Sequence, residues 1–165
     1  MRAIFHADRE WGIGKGNDLM FRLPLDMKFF RETTAGKVVV MGLNTLRSFP
    51  GGKPLKGRTN IVLCPDDVEE DVITVHSLDE LLAQVKQYPA DDVFVIGGAS
   101  AYRLLIPYCT QVLVTRVDAV GGADTFVPDL DADGNFELVQ KSAPVSDNGY
   151  TIFFCTYENK APKPF

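Results

Sequence analysis

Two apolar runs, Val38-Val39-Val40-Met41 and Val93-Phe94-Val95-Ile96, each break at glycine and lead straight into a helical stretch. Four apolar residues without polar alternation suit a strand covered on both faces, and such strands belong to parallel sheets with helices on either side. Gly42 precedes a short helix from Leu43 to Phe49, and Gly97-Gly98 precedes one from Ala99 to Ile106 that stops at Pro107. Parallel pairing needs a crossover connection, so a chain with two such junctions is committed to an α/β layout.

The remaining segments fill in that layout. Arg2 to Ala7 reads as a first strand, and Asp8 to Leu23 as a long, Gly-rich, charged connection of a kind that is often functional. Pro24 suits the first turn of a helix that runs to Ala35 and stops at Gly36, with Phe29, Phe30 and Thr33 at helical spacing from Asp26. A Gly/Pro/Lys turn region from Pro50 to Arg58 precedes strands at Asn60 to Cys64 and Val72 to Val75. Ser77 and Glu80 form a capping box for a helix whose buried stripe is Leu78, Leu81, Leu82 and Val85. After a strand from Val112 to Val117, the segments Phe136 to Val139 and Tyr150 to Tyr157 predict an antiparallel pair. The expected fold is a three-layer α/β domain over residues 1–165. Its mostly parallel mixed sheet is flanked by helices and ends in an antiparallel C-terminal edge.

A chain of 165 residues buries roughly 70% of its unfolded surface, enough for a core without disulfides or a structural metal. Cys64, Cys109 and Cys155 are odd in number, far apart and set among apolar neighbours, which predicts reduced core thiols. His6 and His76 lie near no cysteine pair, so no metal site is expected. With 17 Lys+Arg against 22 Asp+Glu and a net charge of −5, the composition argues against a nucleic-acid partner. No stretch approaches the roughly 20 apolar residues of a membrane helix, and the start MRAIFHADREW is too polar for a signal peptide. The expectation is a cytoplasmic monomer without a membrane partner.

Ligands of open α/β sheets sit outside the carboxyl ends of the strands, which points to the loop after Ala7, the turns at Gly42 and Gly97, and the region after Val117. At both glycine turns the backbone can approach a ligand while the next helix aims free N–H groups and its positive dipole end at it. Each alone is also an ordinary tight turn, but two facing one crevice suit a dinucleotide pyrophosphate. Gly12-Ile13-Gly14-Lys15-Gly16 is not a dinucleotide fingerprint, because its third Gly comes one residue early and the next helix begins only at Pro24. Its glycines, beside Ile13, Leu19, Met20 and Phe21, suit a flap that closes over something apolar. Asp129, Asp131, Asp133 and Gly134 copy the first half of a calcium loop, but Gln140 stands where a bidentate Glu is needed, so a solvated acidic turn is expected. Asp26 carries the most weight. A carboxylate on the Phe29/Phe30/Thr33 face is costly unless an internal salt bridge or a multi-donor ligand meets it.

Seven motifs in order resemble the dihydrofolate reductase family, from Ile4 to about Tyr157: Gly12-Ile13-Gly14 with Asn17 and Leu19; Leu23-Pro24-Leu25-Asp26-Met27 with Phe30; Val40-Met41-Gly42 with Thr45; Pro54-Leu55 with Gly57, Arg58 and Asn60; Val95-Ile96-Gly97-Gly98 with Tyr102; Thr115; and Asp124-Thr125 before Pro128. The resemblance implies reduction of 7,8-dihydrofolate to tetrahydrofolate by hydride transfer from NADPH, and an antifolate target. It implies that Asp26 accepts hydrogen bonds from the pterin 2-amino group and N3, assisted by Thr115 through a water, with Phe21 and Leu19 completing the catalytic set. Ile4, Phe5, His6, Met27, Phe30, Phe49, Leu55, Ile96 and Tyr102 would line the substrate cleft, and Arg58 would clamp the glutamate tail's α-carboxylate, a task that suits a planar bidentate donor. The cofactor would meet Ala7, Ile13, Gly14, Asn17, Tyr102 and Thr125 at its nicotinamide end. Its phosphates and adenosine would meet Gly42, Leu43, Asn44, Thr45, Leu63, Cys64, His76, Gly97, Gly98, Ala99 and Ser100.

Departures from the family pattern fall in three groups. Met20-Phe21 replace the usual Pro-Trp, so the indole N–H is lost. Leu43 and Cys64-Pro65 stand where the family grips the 2′-phosphate of NADPH, which leaves NADH open as a donor and Arg47, His76 or Lys15 as substitutes. His6 occupies a place where small residues are usual, and reads either as a satisfied strand histidine or as a pterin neighbour. A same-fold reductase of another heterocycle, such as the pyrimidine reductase of riboflavin synthesis, would lack the helix carboxylate. A silent pterin- or nucleotide-binding protein would not need Asp26, Thr115 and the flap together.

Overall fold

The computed structural model describes residues 1–68 and 71–165. Strand β1 (Arg2–Ala7) lies at the middle of a nine-stranded mixed sheet. On one side stand β6 (Val93–Gly97), β3 (Val38–Gly42), β4 (Thr59–Leu63) and β5 (Ile73–Val75), all parallel. On the other, β7 (Gln111–Val117) runs parallel to β1, and β11 (Tyr150–Asn159) runs antiparallel to β7. Strands β9 (Phe136–Lys141) and β10 (Val145–Asp147) both pair antiparallel with β11. The chain moves outward from β1 to β5 and then returns to place β6 and β7 on either side of β1. That reversal opens a crevice at the carboxyl ends of the central strands.

The two apolar runs, Val38 to Met41 and Val93 to Ile96, are the inside of this sheet: Val39, Val40, Met41, Phe94 and Val95 are all sealed from solvent. Four helices cover it: α1 (Pro24–Thr34), α2 (Leu43–Ser48), α3 (Leu78–Val85) and α4 (Ala99–Leu105). In α3 the Ser77 hydroxyl accepts the Glu80 N–H as the capping box predicts, but the Glu80 carboxylate reaches back to the N–H of His76 instead of Ser77. Leu81 and Val85 are its buried pair, with Leu78 and Leu82 half-buried. Cys64, Cys109 and Cys155 are buried free thiols.

Three short strands were not legible: β10, and a further pair. Within the long connection after β1, strand β2 (Gly12–Gly14) pairs antiparallel with β8 (Thr125–Phe126). Its glycines give no strand periodicity, and the pairing instead depends on a buried carboxylate. Asp8 is 1% exposed and accepts the backbone N–H groups of Glu10, Gly12 and Gly121 at 2.8, 2.9 and 2.9 Å. Farther out, Asp124 accepts the Gly16 N–H at 2.9 Å. That bond, then the Thr125 hydroxyl, holds the Asp124 carboxyl below the usual carboxylate range. Gly121 has no room for a side chain, since a Cβ there would stand 2.7 Å from Met20 Sδ and 3.0 Å from Phe21 Cζ.

Asp8→Ala strands three backbone donors, one of them buried. It should lower stability by about 1–3 kcal/mol in urea unfolding, with a smaller loss for Asp124→Ala, whose bonds are exposed. Equal losses would show that Asp8 is not the tie that holds this loop.

Candidate active site

Asp26 sits in the first turn of α1, 9% exposed, and three elements converge on it. The Thr115 hydroxyl, from β7, donates to Oδ1 at 2.6 Å, and His6 Nδ1, from β1, lies 3.3 Å from Oδ2. His6 and Thr115 are register partners across the β1–β7 ladder, so sheet pairing alone puts both side chains on one side of the carboxylate. The Thr115 bond to Asp26 is direct at 2.6 Å. His6 is no satisfied strand histidine, because its Nε2 is buried with no partner among the described residues.

The helix that carries Asp26 has no cap of its own. Leu23 stands at the N-cap position and makes no side-chain cap bond. The cap comes from β10, where Asp147, 3% exposed, accepts the Leu25 N–H at 3.0 Å and the Asp26 N–H at 3.1 Å. A carboxylate at a helix N-terminus meets both free donors and the positive dipole end. Asp147 was missed in the sequence. The available signal was Asn148-Gly149, with φ values of 52° and 85°, a hairpin turn that seats the preceding Asp at the strand end.

Along α1 beyond Asp26, Phe29, Phe30 and Thr33 are half-buried and Thr34 is fully buried. Phe49 and Leu55 are half-buried too, whereas Met27 is 53% exposed. Arg58 stands at the other end of α1. Its Nε donates to Thr34 Oγ1 at 3.1 Å and its Nη1 to the Lys56 carbonyl at 2.9 Å. Burial, and then the charge of Arg31, lower its pKa from the usual guanidinium value. Asn60, a motif residue with no role assigned to it from sequence, pins that loop by bonding both backbone groups of Leu55.

On the other side of β1, Tyr102 is buried under Phe5, at 4.9 Å between rings, and donates its hydroxyl to the Ile4 carbonyl at 2.9 Å. Its hydroxyl is therefore taken by the strand, and the residue props β1 through that bond. Phe21 is buried against Tyr150 with its ring 6.3 Å from His6, while Leu19 is 60% exposed on the loop. The two glycine junctions meet. Gly97, at φ +141°, packs so closely on α2 that a Cβ would stand 3.0 Å from Thr45 Oγ1, and Gly98 is 3.4 Å from the same atom by the same measure. Gly42 and Gly98 are the N-caps of α2 and α4, neither with a side-chain cap bond, so both helices begin with free N–H groups at one place. At the ends of β4 and β5, His76 Nδ1 faces the Cys64 carbonyl at 3.0 Å and Nε2 faces Asp67 at 2.9 Å.

The sequence profile of dihydrofolate reductase matches residues 1–159. The chain belongs to the dihydrofolate reductase family. It is 35% identical over 161 residues to the dihydrofolate reductase of Bacillus subtilis, covering 95% of this chain and 93% of that one. It is 39% identical over 142 residues to that of Enterococcus faecium, covering 84% and 83%. Its fold is similar to a dihydrofolate reductase from Enterococcus faecalis solved in complex with NADP(H) and RAB-propyl, with a TM-score of 0.84 and 35% identity over 96% of this chain and 95% of that one. The mixed sheet with an antiparallel C-terminal edge is thus the family's fold. Among the described residues, no helix is long and apolar enough to cross a membrane.

Asp147→Ala should remove about 0.5–2 kcal/mol of stability in urea unfolding. Asp147→Asn should lose less, since an amide oxygen still accepts from the helix. If the two variants match the parent, Asp147 does not cap α1.

Proposed function

We propose that the chain reduces 7,8-dihydrofolate to 5,6,7,8-tetrahydrofolate, with NADPH as the donor. The observation that carries this reading is Asp26, a buried carboxylate fixed by Thr115 in the first turn of a helix whose other end meets an arginine. A ring that presents an amino group and an adjacent ring N–H offers two donors to such a carboxylate, and no hydroxyl or amide in its place would match both. Asp26 thus orients the pterin and, through its negative charge, favours the protonated form of the substrate at N5, a proton that water delivers. Arg58, raised in energy by its own burial and by Arg31, gains from meeting the anionic tail. Phe30, Phe49 and Leu55 are the apolar wall between the two ends.

The residues present fit a dinucleotide. Free N–H groups at the heads of α2 and α4 converge where Gly97 and Gly98 leave no Cβ between them, the arrangement that favours a pyrophosphate. When bound, the nicotinamide cofactor supplies the hydride, and the chain supplies position and field. Gly42 to Thr45 and Gly97 to Ser100 hold its phosphates. The loop from Ile13 to Leu19, tied to Asp124, covers its nicotinamide and excludes water.

For the 2′-phosphate, Leu43 is apolar, and burial, then Asp66 and Asp67, raise the Cys64 pKa, so neither supplies charge. His76 does. Its bond to the Cys64 carbonyl, and then Asp67 and Glu80, raise its pKa above the ordinary 6.5. A raised value means that the charge is complete below the ordinary value and is lost as pH climbs through the folded one. The NADPH-to-NADH ratio of kcat/KM should therefore fall with rising pH, and His76→Ala should flatten that trend. An unchanged slope in the variant would remove His76 from the cofactor site.

The reductase reading itself rests on turnover. Asp26→Asn should stay folded and lose roughly 10²-fold in kcat, more at high pH, where protonated substrate is scarce. Full activity in the variant would reject Asp26 as the pterin anchor. No turnover by the parent with either cofactor would reject the reductase reading.

A further inference from the structure

The first turn after β1 holds a residue in a backbone conformation that its side chain disfavours. Trp11 has φ +64°, a left-handed geometry that suits glycine or asparagine and is rare for a bulky residue. It closes a tight turn: its N–H donates to the Asp8 carbonyl at 3.2 Å, and the Gly12 carbonyl accepts the Asp8 N–H at 3.0 Å. Its own carbonyl accepts the Val127 N–H at 3.0 Å, next to the Gly12–Phe126 rung of the β2–β8 pairing. The direction in which the covering loop leaves the sheet is therefore set at Trp11.

Such a conformation persists only where its surroundings over-determine it. Trp11 is 4% exposed, its ring lies edge-on to Tyr157 at 5.8 Å, and the Arg116 guanidinium is stacked over it at 3.9 Å. Alternation along β7 turns Arg116 away from the face on which Thr115 meets Asp26. Its Nη1 donates to Asp131 Oδ2 at 3.2 Å, and its Nη2 reaches the Asp8 and Arg9 carbonyls, each at 3.4 Å. Asp131 also accepts the Tyr157 hydroxyl on Oδ1 at 2.7 Å, while its own N–H and that of Ala132 are held by Asp129. The acidic turn that copies half a calcium loop thus presents Asp131 to a guanidinium. Arg116 touches the loop root, the indole and this turn at once.

We propose that Arg116, seated by Asp131, is a positioning residue for the nicotinamide end of the cofactor site: its guanidinium holds the Trp11 indole, and with it the left-handed turn from which the covering loop starts. The proposal deepens the reading that this loop covers the cofactor, and rests on it. Arg116 acts through Trp11 and Gly12, not by contact with a ligand. The effect has a direction. A loosened root frees the loop over the nicotinamide but leaves Asp26, Thr115 and Arg58 on their own elements, so cofactor binding weakens and pterin binding does not.

The test uses Arg116→Met, which keeps an unbranched stem and removes the charge, and Arg116→Lys, which keeps a cation for the ring and for Asp131. The Kd of NADPH should rise on the order of tenfold in Arg116→Met and return most of the way in Arg116→Lys, while the Kd of folate stays at the parent value in both. In steady state the same split should appear as a higher KM for NADPH with an unchanged KM for dihydrofolate. An unchanged NADPH Kd in Arg116→Met overturns the proposal, as does equal weakening of both ligands or a Lys variant no better than Met. A parent that neither binds NADPH nor turns over dihydrofolate overturns the reductase reading, and the proposal with it.

The hold on the loop is also readable without cofactor. Lys15 is exposed just past β2, and the rate of tryptic cleavage after it, followed by mass spectrometry, tracks how often the loop is open. Arg116→Met should speed that cut on the order of tenfold and leave cuts outside the loop unchanged. An unchanged rate overturns the proposal even where the parent binds NADPH. Should Arg116→Met not fold, Asp131→Asn removes the charge partner and keeps an acceptor for Tyr157. Its Lys15 cut and its NADPH Kd should both rise by about two- to fivefold, and no movement in either overturns the proposal.

Discussion

A carboxylate buried in an apolar cleft costs several kcal/mol unless other groups meet it, and the neighbourhood of Asp26 is organised around that cost. The Thr115 hydroxyl and the His6 ring each offset part of it. Neither is near Asp26 in the chain. Their meeting requires β1 between β6 and β7. The sheet order is therefore what allows this carboxyl side chain to be buried. A bond to Thr115 at 2.6 Å removes one oxygen's freedom to rotate away, so the carboxylate is a preorganised acceptor and not a solvated one that must be stripped of water.

A second carboxylate governs where the first one stands. Asp147 is separated from Leu25 and Asp26 by more than a hundred residues, yet it binds the backbone N–H of both. Helix termini leave four donors free, and an apolar N-cap residue such as Leu23 answers none of them. By capping α1 from the C-terminal hairpin, Asp147 ties the antiparallel edge of the sheet to the head of the cleft. The edge strands thus have a positional role beyond covering β7.

The regular elements were legible because each is driven by local pattern. Continuous Val/Ile/Met/Phe runs gave β3 and β6, the Pro24 to Gly36 segment gave α1, and the Asp26 spacing put its carboxylate on the cleft face. What stayed hidden is carried by pairings between distant segments. Gly12 to Gly14 has no strand pattern, and becomes β2 because Asp8 collects three backbone N–H groups across the fold. Thr115 was legible as a partner of Asp26, but the 2.6 Å length of their bond depends on where β7 sets the residue. Tyr102 was legible as a neighbour of the cleft, but not as a buried prop whose hydroxyl is taken by Ile4. Arg58 shows the same limit, because its bonds to Thr34 and the Lys56 carbonyl come from the way its loop is pinned by Asn60.

The two halves of the site are built differently, and their chemistry accounts for it. Asp26, Thr115 and His6 stand on strands and a helix, where rotamers are fixed by packing, as orientation of a ring relative to a hydride donor demands. The covering loop stands on backbone bonds to Asp8 and Asp124. One of these carboxylates is buried and the other exposed, so its inner end is held more firmly than its tip. Gly121 fits this division, since any side chain there would drive Met20 and Phe21 away from the sheet. The loop is thus anchored at its root and lightly held at Gly16, while Phe21 stays packed beside His6.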